Sequence, residues 1–261
     1  MTDAIVPAAT ILLLRDAPAF EVLMIERHAD ISFAGGALVF PGGKIDAGDA
    51  DDRWSDHCDG LATAPPEERA PRVAAIREAF EETGVLLARG ADGAMASDAA
   101  AAALDHWRGP VEAESARFLE MVAGAGLRLA CDALHLFARW QPPKTVPYRR
   151  YHTWFFAAAA PADQRAREDG NEATEALWTS PQAALDARDA GARKMIFPTA
   201  RNVELLNKSA SVQDVFDDAA ERPIAPIEPR VVKRDGKAFL SIPDGLGYPV
   251  TEEPLDTVVR S

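Results

Sequence analysis

The run "AAIREAFEETGV" (74–85) sets Glu78, Glu81 and Glu82 in the last two turns of a predicted helix, just ahead of a glycine stop at Gly84. A helix C-terminus carries about half a negative charge, so each acid there is disfavoured by about 0.3–1 kcal/mol. Glu78 and Glu82 also stand four apart, where like charges repel. At about 100° per residue the three carboxylates share an arc of about 100°, and Val73, Ile76 and Phe80 fall on the opposite side. One side of this helix packs and the other gathers acids. Hard oxygen donors on one face are what Mg²⁺ or Mn²⁺ takes, and such ions also bind substrate phosphates. A bound cation offsets both the dipole penalty and the repulsion. The competing reading is an ordinary solvated acidic face. Arg77 falls beside Glu81, where it either holds the acids in place or pairs at the surface.

The surrounding chain supplies elements that can position this face. "TILLLRD" and "FEVLMIERH" read as two strands of a hairpin, about 10–15 and 20–27. "ISFAGGALVFPGGKIDAGD" (31–49) holds two Gly-Gly pairs, and Gly42 and Gly43 let backbone approach a ligand closely. Residues 50–69 lack periodicity and read as an inserted loop, with the acidic helix starting near 70–72 and Pro71 in its first turn. "VLLA" (85–88) reads as a strand. Residues 94–123 read as two helices broken at "RGP" (108–110), forming either a lid or padding for the core. Strands are expected at 127–140, 151–160 and 173–180, and helices at 181–190 and 198–210. Asp235-Gly236 signals a late hairpin, followed by a loop-rich end. Strands interleaved with helices after an antiparallel start make an α/β sandwich with a mixed sheet.

Composition narrows the partners. The 261 residues carry a formal charge of −13, with 48% hydrophobic and 26% charged residues. That is the balance of a soluble globular protein, long enough for one large domain or a core domain with additions. The acidic charge argues against nucleic acid as a partner, since phosphate neutralisation needs clustered Lys and Arg. Cys58 and Cys131 are too few for a disulfide framework, and the five histidines lack zinc-ligand spacing. No segment approaches the roughly 20 apolar residues of a membrane span. The first residues show no signal-peptide pattern, so a cytoplasmic location is the expectation.

"REAFEETGV" (77–85) matches the second half of the Nudix box, R-E-U-x-E-E-x-G-U with U apolar, at every fixed position. "GGKIDAGD" (42–49) resembles its first half, in which a glycine is followed six residues later by a glutamate. Here that place holds Asp49, and 27 residues rather than seven separate it from Arg77, an insertion of 20. The resemblance implies a Nudix-type α/β/α sandwich around a mixed sheet. It implies a domain over 1–209, with the box at 43–85 and a C-terminal extension at 210–261 packed on it. It implies hydrolysis of a nucleoside diphosphate linked to another moiety. Glu78, Glu81 and Glu82 would bind Mg²⁺ or Mn²⁺ with the Gly43 carbonyl, Arg77 would orient them, and a bound water would attack phosphorus. For a base or further ligand, the late acidic loop offers Glu172 and Glu175, with exposed acids as the alternative. Arg27, Arg149, Arg150, Gly42 and Gly43 are the substrate-binding candidates, Arg suiting phosphate; a surface pair is the alternative for the arginines.

The insertion inside the box, with "VFPGG", "RRYHTWFFAA" and "EALWTSPQAAL", resembles the acyl-CoA diphosphatase branch of the family. That branch splits CoA or acyl-CoA into adenosine 3′,5′-bisphosphate and (acyl-)phosphopantetheine. ADP-ribose, NADH and dinucleoside polyphosphates are the alternative substrates. A non-catalytic Nudix metabolite sensor is the alternative class, opposed by the intact acids and by the lack of a basic recognition helix after 210. The final "TVVRS" lacks a Ser-Lys-Leu-type address. A small nucleotide is the expected partner, and a homodimer is compatible with the sequence.

Overall fold

In the computed structural model, which describes residues 5–28, 34–142, 150–168, 170 and 173–258, the chain opens with β1 (Ile5–Arg15) and β2 (Glu21–Arg27). β3 (Leu38–Val39) and β4 (Gly42–Lys44) follow the glycine-rich loop. The short α1 (Trp54–His57) precedes the acidic helix α2 (Pro66–Thr83). Next come β5 (Ala88–Arg89), α3 (Asp98–Ala103), α4 (Arg108–Ala113), α5 (Ala116–Gly124) and β6 (Arg128–Leu129). β7 (His135–Trp140), β8 (Arg150–Ala159) and β9 (Ala173–Thr179) return to the main sheet. α6 (Pro181–Asp189), α7 (Phe197–Leu206) and α8 (Val212–Glu221) cover its second face. The chain closes with β10 (Pro226–Ile227), β11 (Arg230–Arg234), β12 (Lys237–Ser241), β13 (Glu252–Pro254) and α9 (Leu255–Val258).

Among the described residues the main sheet has eight strands, ordered β10-β7-β8-β1-β2-β3, with β4 also on β1 and β9 also on β2. β1 lies parallel to β8 from Ile5↔Arg150 to Leu14↔Ala159, and antiparallel to β2 and β4. The apolar run in β1 is continuous because both faces are covered. Ile11 and Leu13 enter a core shared with α2, while Leu12 and Leu14 enter the opposite core with α6, α7 and α8. This is the expected α/β/α sandwich around a mixed sheet.

Several boundaries differ from the sequence reading. α2 begins at Pro66, not near 70–72, because Pro66 suits a first helical position and Pro65 ahead of it is extended. Pro71 therefore sits inside the helix, where the amide it lacks would have met the carbonyl of the solvent-exposed Glu67. The inserted segment is not a free loop. Its Trp54 is buried, donates from Nε1 to the Gly48 carbonyl at 2.9 Å and packs on Phe118 at 5.6 Å between ring centroids. A single aromatic anchor has no period to read.

Residues 85–87 are not a strand, although buried. The Gln164 side chain takes the place of a neighbouring strand, accepting from Leu86 N at 2.8 Å and donating to Leu86 O at 3.0 Å. The expected strand over 127–140 is interrupted by a 3-10 turn at Cys131–Ala133. The "RGP" segment starts α4 instead of breaking a helix, since proline is tolerated in a first turn. Helix α8 was not foreseen; Ser211 caps it, its Oγ accepting from Asp214 N. At the late hairpin Asp235 and Gly236 both take positive φ, 49° and 78°, as a two-residue primed turn requires. From the tail, β10 pairs with β7, and Val212, Val215, Ile242 and Tyr248 enter the second core.

Candidate active site

The C-terminal end of α2 is stabilised from outside the helix. Gly84 takes φ 69° and donates its N–H to Phe80 O at 2.9 Å. The Arg108 guanidinium donates to Glu81 O at 2.9 Å, and Arg167 N donates to Thr83 O at 2.8 Å. These contacts satisfy carbonyls that a helix end leaves without partners, and Arg108 sets a cation at the negative pole of the dipole. The helical insertion thus caps α2 through α4 and pads the core, with Phe118 of α5 stacked on Phe80.

Arg77 is the hub of the acids. Its Nε and Nη2 donate to the two oxygens of Asp49 at 2.8 and 2.9 Å. Its Nη1 donates to both Glu78 Oε1 and Glu81 Oε1 at 2.9 Å, and Nη2 also donates to Lys44 O at 2.7 Å. Asp49 is 2% exposed, accepts in addition from Asp46 N at 2.8 Å, and occupies the place of the box's first glutamate. Glu82 faces the glycine loop instead, accepting from Gly42 N at 2.7 Å and pairing with Arg27 Nη1 at 3.4 Å. Gly43 completes the floor: a Cβ there would lie 2.6 Å from both Glu78 carboxylate oxygens.

Asp49, Glu78 and Glu81 around Arg77 leave an excess of buried negative charge. Burial, with Asp49 and the neighbouring glutamate reinforcing it against the pull of Arg77, pushes Glu78 up to about 8. Burial likewise pushes Glu81 up to about 7, again against the pull of Arg77 and with Asp49 adding to it. Burial also raises Asp49. Burial disfavours charge on Arg77, yet Glu78, Asp49 and Glu81 outweigh it and hold the guanidinium firmly ionised. Among the described residues no three acidic, histidine or cysteine side chains converge on one point. Arg77 and Gly42 hold the carboxylates apart. The donor set itself, buried hard oxygens with surplus negative charge beside a backbone cradle at Gly43, fits a divalent cation.

The structure brings Arg77, Glu78, Glu81, Glu82, Gly42, Gly43 and Arg27 together, but the other candidates do not join them. Glu175 pairs across strands with Glu26, two residues from Met24 of the second core, so it lies on the sheet face away from α2. Arg193 holds its carboxylate at 2.6 Å. That placement removes Glu175 as base or ligand. Glu172 and Arg149 lie outside the described residues, as does the Arg150 side chain; the Arg150 backbone starts β8 opposite Ile5. Arg27 is turned toward Glu82 instead of standing apart as a phosphate ligand. Sequence reading missed Arg108, which has no spacing signal, because its target carbonyl is 27 positions away in α2.

Two family models match the chain. Residues 55–198 match the family described as the NUDT19 Nudix domain, and residues 5–98 match the NUDIX domain family. The acyl-coenzyme A diphosphatase NUDT19 of Xenopus laevis is 28% identical over 225 residues, covering 71% of this chain and 59% of that protein. The Homo sapiens protein of the same name is 29% identical over 210 residues, covering 66% and 56%. The chain thus spans less than two thirds of the length of these relatives. The crystal structure of a NUDIX hydrolase from Alicyclobacillus acidocaldarius superposes with a TM-score of 0.72 at 25% identity, covering 82% of this chain and 96% of that one. With a family match running over more than half of its residues and the box acids gathered around one arginine, this chain belongs to the NUDT19 Nudix domain family.

Proposed function

We propose that this protein is a metal-dependent diphosphatase acting on CoA or acyl-CoA, releasing adenosine 3′,5′-bisphosphate and (acyl-)phosphopantetheine. The single observation behind the chemistry is the buried surplus of acid around Arg77, with Glu78 lying on the Gly43 backbone. The choice of substrate is supported by the acyl-coenzyme A diphosphatases among its relatives.

In this reading Glu78, Glu81, Glu82 and the Gly43 carbonyl hold Mg²⁺ or Mn²⁺. When bound, such an ion polarises a phosphoryl oxygen and lowers the pKa of a water. The chain's own residues do the positioning. Asp49 fixes the Arg77 fork, and Arg77 keeps one oxygen each of Glu78 and Glu81 engaged, leaving the second oxygens for a ligand. Gly42 fixes Glu82 through its N–H. The absence of a side chain at Gly43 leaves the backbone open to Glu78 and to a substrate phosphate. No covalent intermediate on the protein is required.

Product identification by mass spectrometry tests the proposal, using CoA, acetyl-CoA, ADP-ribose, NADH and diadenosine polyphosphates with Mg²⁺ or Mn²⁺. Adenosine 3′,5′-bisphosphate with phosphopantetheine is the expected outcome. AMP from ADP-ribose or NADH, with CoA untouched, would keep the hydrolytic site and reject the substrate. No turnover of any member would reject the enzyme.

A further inference from the structure

A second cluster lies on the α2 face of the sheet, joined to the acids by one cross-strand row. Gly43 pairs with Ala9, Ala9 with Trp154, and Trp154 with Arg139. Four neighbouring strands at about 4.8 Å spacing put the Arg139 backbone about 14 Å from Gly43. That is the scale of a nucleoside with its phosphates. The Arg139 guanidinium sits over the Trp154 ring at 3.9 Å from its centroid. His152, two residues along the same strand face, stacks on the other part of this platform with ring centroids 5.7 Å apart.

These polar groups are short of partners. Arg139 Nε and His152 Nε2 are both closed off from solvent without a hydrogen bond. Among the described residues no carboxylate pairs with Arg139, although the chain carries 41 acidic residues against 28 Lys and Arg. Other arginines near the same face are satisfied: Arg72 by Glu68 and two carbonyls, and Arg77 by its acids. Burial, followed by the Arg139 charge, holds the His152 imidazole below its usual pKa. Trp154 is 6% exposed and locked into the core, which makes its ring a rigid platform. A planar cation held on an indole face, with an imidazole beside it, suits a phosphate monoester.

We propose that Arg139 and His152, on the Trp154 platform, form a subsite for the phosphate monoester at the nucleoside end of the substrate. The assignment rests on the diphosphatase reading and makes it specific: the subsite selects a 3′-phosphorylated nucleoside. The direct test is calorimetric binding of adenosine 3′,5′-bisphosphate to the full chain and to Arg139→Ala, independent of turnover. The variant is expected to bind about 10- to 100-fold more weakly, with Arg139→Lys between the two because it keeps the charge but not the fork. Equal affinities, or no binding to the wild type, overturn the subsite.

Turnover separates this subsite from the function itself. Wild type is expected to prefer CoA over 3′-dephospho-CoA through KM, and Arg139→Ala to lose that preference. Turnover of CoA with equal KM values for both substrates overturns the subsite and leaves the diphosphatase standing. Absence of CoA turnover overturns the substrate assignment, and the calorimetry then still decides on the subsite. Thermal melting checks that Arg139→Ala folds; should it not, His152→Ala replaces it in the same comparison.

Discussion

Asp49 and Arg77 meet through two parallel hydrogen bonds, Nε to Oδ1 at 2.8 Å and Nη2 to Oδ2 at 2.9 Å, across the insertion that separates them in sequence. Both side chains are almost wholly buried. Losing Asp49 breaks two charge-assisted hydrogen bonds on a buried guanidinium that Glu78 and Glu81 still hold, and hydrogen bonds to charged groups contribute about 1.5–3 kcal/mol each. Asp49→Ala should therefore lower stability by that order in urea denaturation. It should also reduce kcat by roughly 10- to 100-fold, as loss of a group supporting metal ligands does. An unaltered midpoint and kcat would mean that Glu78 and Glu81 hold Arg77 without help.

Gly43→Ala places a methyl group 2.6 Å from both Glu78 oxygens. The carboxylate must move, while the backbone angle itself is one that alanine accepts, since Gly43 is not among the residues of positive φ. Activity is expected to fall roughly a hundredfold or more with the melting temperature nearly kept, displacement by an ångström being enough for such a loss. A variant as active as wild type would show that Glu78 has no role at that position.

Chelation should abolish turnover, and added Mg²⁺ or Mn²⁺ should restore it. The ion should also raise the melting temperature, because a ligand that binds only the folded state stabilises it. Glu81→Gln is expected to lose both effects, with turnover reduced by roughly 10²–10⁴-fold at saturating Mg²⁺ on the scale of groups acting in a transition state. Wild-type rates from this variant would dissolve the assignment of the acidic face.

Arg108→Ala removes a charged donor from the carbonyl of Glu81 at the end of α2. Hydrogen bonds to charged groups contribute about 1.5–3 kcal/mol, and stability should drop by about that much in chemical denaturation. The effect on kcat should be smaller than for Asp49→Ala, since Arg108 touches the backbone of α2 and not its carboxylates. A larger loss of kcat than of stability would place Arg108 in the chemistry.

The sequence disclosed what period and box spacing encode. The acidic face of α2 followed from 100° geometry, and the antiparallel opening strands β1 and β2 from their apolar runs. Ser211 and Asp214 also held a legible capping signal for α8, three residues apart, which the reading of the tail passed over. Other features depend on pairings between distant segments. Gln164 standing in for a strand beside Leu86 leaves no local trace, and neither does Arg108 reaching Glu81. Glu175 shows the same limit from the other side. Its residue type suited a base, but only the register of β9 on β2 says which face it occupies.

The insertion between Asp49 and α2 has a thermodynamic corollary. Lengthening a closed loop from seven to 27 residues adds only about 1.2 kcal/mol of closure entropy, because that term grows with the logarithm of length. Its two ends are fastened by the ion pair at the base, and Trp54 recovers apolar burial part-way round. Chain length in this stretch is therefore nearly decoupled from the geometry at its root. New surface can be grown at the exposed turn of Ala62 and Thr63 while the carboxylates beneath keep their places.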